Sequence, residues 1–209
     1  MDKFEAARYL GIKPSALDKR TEELIEKCGR KLEQTAAPKH IHAVFDISVS
    51  DENVSFPDFE VKSRDLAKHI DSCSQAALFA ATLGVAADRL ISTASYSDIS
   101  EAAVMQACAA VLIEEYCDEA MKEVASAEHK KFLRPRFSPG YGDFSVSHQK
   151  DILTILRANA RIGLFATDSN MLVPSKSVTA VIGITDKESS CNINKCADCG
   201  NKFCVFRKE

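Results

Sequence analysis

Apolar residues recur at two different periods along this chain, and the switches between them mark out its elements. Residues 1–35 carry a helical pattern interrupted by Gly11 and Pro14. Behind Asp18, a residue suited to cap a helix, Leu24, Ile25, Cys28 and Leu32 fall at helical spacing. Pro38 ends that pattern. Ile41, Ala43, Phe45 and Ile47 then alternate with more polar neighbours, as a half-buried strand does. Residues 50–53 read as a turn and residues 56–61 as a short partner strand broken by Pro57. Ser63 caps a short helix carrying Leu66 and Ile70.

Residues 76–84 form an almost wholly apolar run ended by Gly84. Both its faces are expected to be covered, which reads as a central strand, although the period alone also admits a helix. Helical spacing resumes through Leu90 and Ile91. The longest helix is expected over residues 98 to about 128, with Met105, Ala109, Leu112, Tyr116 and Ala120 down one side. Glu114, Glu115, Asp118 and Glu119 fall mostly on other sides, as a solvated face. Ser147 is placed to cap a helix through Ile152, Ile155 and Leu156. Residues 162–167 and 177–184 read as strands joined by a connection over 168–176. Helices and strands do not alternate regularly enough for a doubly wound parallel sheet, so the pattern predicts an α+β fold with a mostly antiparallel sheet and flanking helices.

The 209 residues suit one domain with an appended tail, here residues 1–186 and 187–209. A hydrophobic share of 45% and a net charge of -3 argue against disorder. No basic run with interleaved aromatics points to nucleic acid. The first residues lack an apolar signal segment, and no apolar stretch reaches membrane-spanning length, so a cytoplasmic protein is expected.

Eight cysteines in such a compartment do not suggest a disulfide framework. Cys28, Cys73, Cys108 and Cys117 sit singly in apolar patterns, as small buried hydrophobes do. Cys191, Cys196, Cys199 and Cys204 are different. Their x4-x2-x4 spacing packs four thiolates into a short tail with Asn192 and Gly200 as turn formers, which predicts a metal site. Only one CxxC knuckle is present, and Phe203, Val205 and Phe206 lie nearby to shield a cluster. This favours [4Fe–4S] over Zn without excluding Zn, the first implying electron transfer and the second a structural staple.

A second distinctive stretch, residues 136–143, combines Arg136, a Pro139-Gly140 turn and Tyr141 between two helical patterns. Its first six residues, Arg-Phe-Ser-Pro-Gly-Tyr, resemble the Arg-Pro-Ala-Pro-Gly-Tyr signature of the activation (reactivation) domain of vitamin B12-dependent methionine synthase. Residues 76–84, the segment Val111-Leu112-Ile113-Glu114-Glu115-Tyr116, and the Ile162-Gly163…Thr167-Asp168-Ser169-Asn170-Met171…Pro174…Ser177-Val178-Thr179 pattern agree with that family in the same order. The similarity spans roughly residues 75–185. Phe137 replaces the family's first proline, and Gly142-Asp143 replaces its continuation after the tyrosine.

The resemblance implies a C-shaped α+β domain that binds S-adenosylmethionine in a shallow groove and presents it to cobalamin on a partner. It implies Arg136 against the ligand carboxylate, backbone of Ser138 and Gly140 as hydrogen-bonding groups, Tyr141 beside the sulfonium or sugar, and Glu114 for a polar or cationic group. No Asp-x-His-x-x-Gly corrinoid motif occurs, so cobalamin is expected only through a separate methionine synthase or related corrinoid protein. The implied role is accessory to that methyltransferase in methionine biosynthesis: the chain brings S-adenosylmethionine, the cysteine tail relays an electron from a donor, and no side chain acts as a catalytic group. The alternative is a non-catalytic S-adenosylmethionine-binding or docking module with a zinc-stapled tail.

Overall fold

A computed structural model describes residues 1–127 and 132–186. In chain order these form α1 (Lys3–Tyr9), a 3-10 turn at Pro14–Ala16, α2 (Lys19–Thr35), β1 (Lys39–Asp46), β2 (Ser48–Val49), β3 (Asn53–Ser55), β4 (Glu60–Lys62), α3 (Arg64–His69), β5 (Gln75–Thr82), α4 (Val85–Ser97), α5 (Ile99–Ala127), β6 (Phe132–Leu133), α6 (His148–Ile155), α7 (Ala158–Ile162), β7 (Phe165–Ala166), β8 (Leu172–Val173) and β9 (Ser177–Thr185). They divide into two compact units. One holds residues 1–38 and 83–116; the other holds residues 39–82 and the described residues from Cys117 onward.

The first unit is helical; carboxylates cap α1 and α2, whereas α4 starts from Gly84 without a side-chain cap. Asp2 accepts from the amides of Phe4 and Glu5 at the start of α1. Asp18 accepts from the Thr21 amide at 3.0 Å, which satisfies one of the orphan donors that open α2. α2 buries Ile25, Cys28 and Leu32, the stripe expected from their spacing. In the first half of α5, Met105, Cys108, Ala109, Val111 and Ile113 are buried, so the helix is covered on more than one side. Glu101 holds Lys31 at 2.6 Å and Lys27 at 3.0 Å, tying α5 to α2. Burial pushes the Cys28 thiol up and the Cys108 thiol to about 12, so both stay neutral and pack as small apolar groups.

The second unit is built on a four-stranded antiparallel sheet in the order β1-β5-β9-β6. Residues 76–81 of β5 are all fully buried, which makes this the covered central strand. On one face, Ala76, Leu78 and Ala80 join Val181, α3 (Leu66, Ile70) and α6 (Ile152, Leu153) in a continuous core. On the other, His40 of β1 stacks on Phe79 and meets Glu123, near the end of α5, at 3.2 Å. Gly183 of β9 is glycine for a packing reason: a β-carbon there would lie 2.8 Å from Cys73 Sγ and 2.9 Å from Ile70 Cγ2. Removing that carbon lets the end of α3 sit directly on the sheet.

Three local expectations are corrected. Residues 56–59 are the turn of a hairpin, closed by Phe56 N to Phe59 O at 2.9 Å, and the strands are β3 before them and β4 after. Phe56 and Phe59 stack at 4.6 Å across that turn, so aromatic content there marked packing rather than strand. Residues 162–167 are not one strand. Ile162 ends α7, Gly163 terminates it in the left-handed conformation (φ 70°), and only Phe165–Ala166 pairs, with β8 inside the expected connection. Ser147 stands at the start of α6 but makes no side-chain cap bond.

Candidate functional site

The segment leading to the loop at residues 136–143 runs along the outer edge of β9. β6 pairs Phe132 with Thr185 and Leu133 with Ile184, and the Arg134 amide donates to Gly183 O at 2.8 Å. Pro135 has no N–H to give, and pairing resumes one residue out of step, with Phe137 and Val181 exchanging two bonds of 2.9 Å. Arg136 therefore sits in a bulge between two anchored points. Its guanidinium is mostly covered (14% exposed) and lies 2.8 Å from Asp118 on α5.

Beyond Phe137 the chain makes a type II turn. Tyr141 N donates to Ser138 O at 3.0 Å, with Pro139 and Gly140 at the corners and Gly140 at φ 98°. Gly140 N donates to Phe144 O at 2.7 Å, and Phe144 N returns to Tyr141 O at 2.9 Å. The Gly140 amide is thus committed within the loop, while the Ser138 carbonyl keeps a second lone pair. The Phe137 ring, where the family signature has proline, packs on His69 (4.8 Å) and Phe144 (6.3 Å) and takes the edge of Tyr141 at 5.7 Å. Tyr141 itself is 44% exposed. His69 Nε2 bonds Pro135 O at 2.8 Å, which fixes the bulge from the α3 side.

The departure at Gly142-Asp143 has a structural role. The Asp143 carboxylate accepts from Ser63 Oγ (2.5 Å), Arg64 N (3.0 Å) and Asp65 N (3.1 Å), and the Asp143 amide donates to Asp65 Oδ2. Ser63 Oγ in turn accepts from Leu66 N at 3.0 Å. Asp143 and Ser63 together cap α3. The Ser63 hydroxyl, then the α3 amides, hold the Asp143 carboxyl below its ordinary value. Gly142 is at φ 53°, and a β-carbon there would collide with the Asp65 carboxylate.

The sequence-predicted residues Arg136, Ser138, Gly140 and Tyr141 come together on this one loop. Glu114 is exposed on α5. The α5 acid paired with Arg136 is Asp118, one helical turn further on, which its sequence position places among the solvated acids. Its signal was only the four-residue spacing from Glu114. Cys191, Cys196, Cys199 and Cys204 lie outside the described residues, and among the described residues no group of three or more His, Cys, Asp or Glu side chains could hold a metal. Cys28, Cys73, Cys108 and Cys117 are buried thiols, as expected. Among the described residues no helix is long and apolar enough to cross a membrane.

A solved structure titled "Crystal Structure of the MetH Reactivation Domain bound to AdoHcy" matches 81% of this chain and 67% of its own, with a TM-score of 0.59 and 15% sequence identity. The chain shares the fold of that reactivation domain. No protein-family profile matches the sequence, and no curated protein does. At 15% identity the likeness is carried by backbone architecture: the mixed fold, with its antiparallel sheets and flanking helices, agrees with the reactivation domain although few side chains do.

Proposed function

We propose that this chain binds S-adenosylmethionine at the Arg136–Tyr141 loop and serves the reductive remethylation of cobalamin carried by a separate methionine synthase or related corrinoid protein. The observation that carries the reading is the shared fold with a reactivation domain solved with S-adenosylhomocysteine, on a chain whose loop has the arginine and Pro-Gly-Tyr turn of that family's signature. The residues fit such a ligand. A covered guanidinium held beside Asp118 is the type of planar cation that pairs with a carboxylate. The half-exposed Tyr141 ring is the aromatic group that a sulfonium would lie beside. The Ser138 carbonyl can accept from an ammonium or hydroxyl, and Glu114 is the further acid assigned to a polar or cationic group. S-adenosylmethionine would supply the methyl group, and the chain contributes proximity and orientation, with no catalytic side chain of its own.

In this reading the tail cysteines Cys191, Cys196, Cys199 and Cys204 hold a [4Fe–4S] cluster that relays the electron from a donor. Anaerobic purification with metal analysis and an absorbance spectrum separates this from a zinc staple: a colourless protein with one zinc per chain removes the relay. Titration calorimetry with S-adenosylmethionine tests the loop. Binding by the wild type that is lost in Arg136→Ala supports it, and no heat with either protein defeats it. The function is then read by adding the protein, an electron donor and S-adenosylmethionine to a cobalamin-loaded synthase lacking its own activation domain and following formation of methylcobalamin.

A further inference from the structure

A groove of about 630 Å³ lies beside α6, α7 and β7. That volume is within the range of small-molecule sites. Leu153 and Leu164, both buried, form its apolar floor, and the 43%-exposed ring of Phe165 forms one wall. Lys150 of α6, Arg157 at the corner after it and Asn159 of α7 also line the groove.

Arg157 is the anomaly. It holds a left-handed backbone, φ 52° and ψ 38°, at the corner between α6 and α7. Glycine adopts this conformation without cost and asparagine with little, whereas a long side chain is strained there. The corner itself needs only backbone, since Arg157 N donates to Thr154 O at 3.0 Å and Arg157 O accepts from Arg161 N at 3.2 Å. The guanidinium makes no ion pair among the described residues. Lys150, by contrast, lies 3.6 Å from the fully exposed Asp168 carboxylate. One acid against two cations leaves the groove positive. Strain kept at a residue whose charged end has no internal task points to a ligand.

We propose that this groove binds an anion carried on a flat ring, of the nucleoside monophosphate class, with Arg157 as its receptor. The planar guanidinium matches two phosphate oxygens, Lys150 adds a second charge, and the ring lies against Phe165 above the leucine floor. The charge balance separates this groove from the Arg136 loop, where an acid already stands beside the arginine, and the inference does not rest on the reading of that loop.

The test uses adenosine monophosphate as probe, with adenosine and inorganic phosphate as controls, on the full chain by amide-resolved NMR titration. The wild type should show saturable shifts at Thr154, Arg157 and Phe165, with adenosine monophosphate at least tenfold tighter than either control. Arg157→Gly should raise Tm by about 2 °C through relief of the strained corner and weaken the nucleotide at least tenfold, leaving S-adenosylmethionine binding unchanged. Lys150→Gln should weaken the nucleotide without moving Tm. The proposal is overturned if the wild type shows no shifts in the groove, if Arg157→Gly keeps its nucleotide affinity, or if that variant's Tm does not rise. Should Arg157→Gly not fold, Arg157→Asn reads the same two quantities.

Discussion

The Asp143 carboxylate closes onto the Ser63 hydroxyl at 2.5 Å across eighty residues of chain, so the cap of α3 is shared between its own first residue and the candidate ligand loop. This pair ties the loop's geometry to the N-terminus of α3. Replacing Asp143 by Ala leaves the Arg64 and Asp65 amides without their acceptor, and both Tm and S-adenosylmethionine affinity should fall. Ser63→Ala should lower Tm too, with a smaller effect on the ligand because the amide contacts to Asp143 remain.

The same carboxylate carries a pH signature. Its value in the folded protein lies below the ordinary 3.8, so its stabilising contribution is fully present above 3.8. As pH falls through the lower folded value, the contribution is lost. The Tm difference between wild type and Asp143→Asn should therefore be constant from pH 7 down to about pH 4 and shrink below it. Calorimetric scans across that window check the sign; a gap that widens on acidification contradicts it.

Gly142→Ala places a methyl group on the Asp65 carboxylate in a left-handed backbone. A cost of about 2 kcal/mol is expected from the two effects together, read by denaturant unfolding. Asp65→Ala removes the carboxylate but leaves its own β-carbon 2.9 Å from the new methyl, so the double variant should recover only part of the loss. Recovery of none of it would place the cost in the backbone and the remaining β-carbon contact rather than in the carboxylate.

Arg136→Ala should weaken S-adenosylmethionine by roughly 1.5–3 kcal/mol, the range for a hydrogen bond to a charged group. Asp118→Asn keeps the shape beside Arg136 and removes the charge. It should lower affinity for the sulfonium compound more than for S-adenosylhomocysteine, whose sulfur is neutral. Equal losses for both ligands would make Asp118 a support for Arg136 only. Glu114→Gln in the same assay reports whether that acid contributes at all.

Gly183→Ala drives a methyl group against Ile70 and Cys73, where α3 sits on the sheet. Overpacking at a buried β-strand position should cost about 1–3 kcal/mol. Pairing it with Cys73→Ala, which clears the nearer of the two atoms, should reduce that cost.

How legible this chain was depends on which interactions set each part. The apolar run of β5, the alternation in β1 and the long α5 announce themselves because burial on one or two faces imposes a period. Asp18 and Ser63 were readable as caps because capping is local. The hairpin at residues 56–59 was misread because Phe56 and Phe59 stack on each other across a turn, a contact with no periodic trace. A strand over residues 162–167 is too long an expectation because Gly163, whose type suits a strand bend, ends α7 with a left-handed backbone. The loop at residues 136–143 stands out by its arginine, Pro-Gly turn and tyrosine and then by a family signature, yet its anchors, Ser63 and Asp118, lie elsewhere in sequence and have ordinary types. Asp143 looked like a departure from the signature; its meaning is visible only with α3 beside it.

The missing amide of Pro135 reaches beyond the loop it shapes. An edge strand with a long row of open N–H and C=O groups can template the strand of another molecule, in aggregation or in domain exchange. On the outer side of β9 the regular pairing of β6 covers two residues, is broken at Pro135 and resumes out of step at Phe137. Among the described residues that margin of the sheet therefore offers an incoming strand no continuous ladder, and the break that denies it one is the same bulge in which Arg136 meets Asp118.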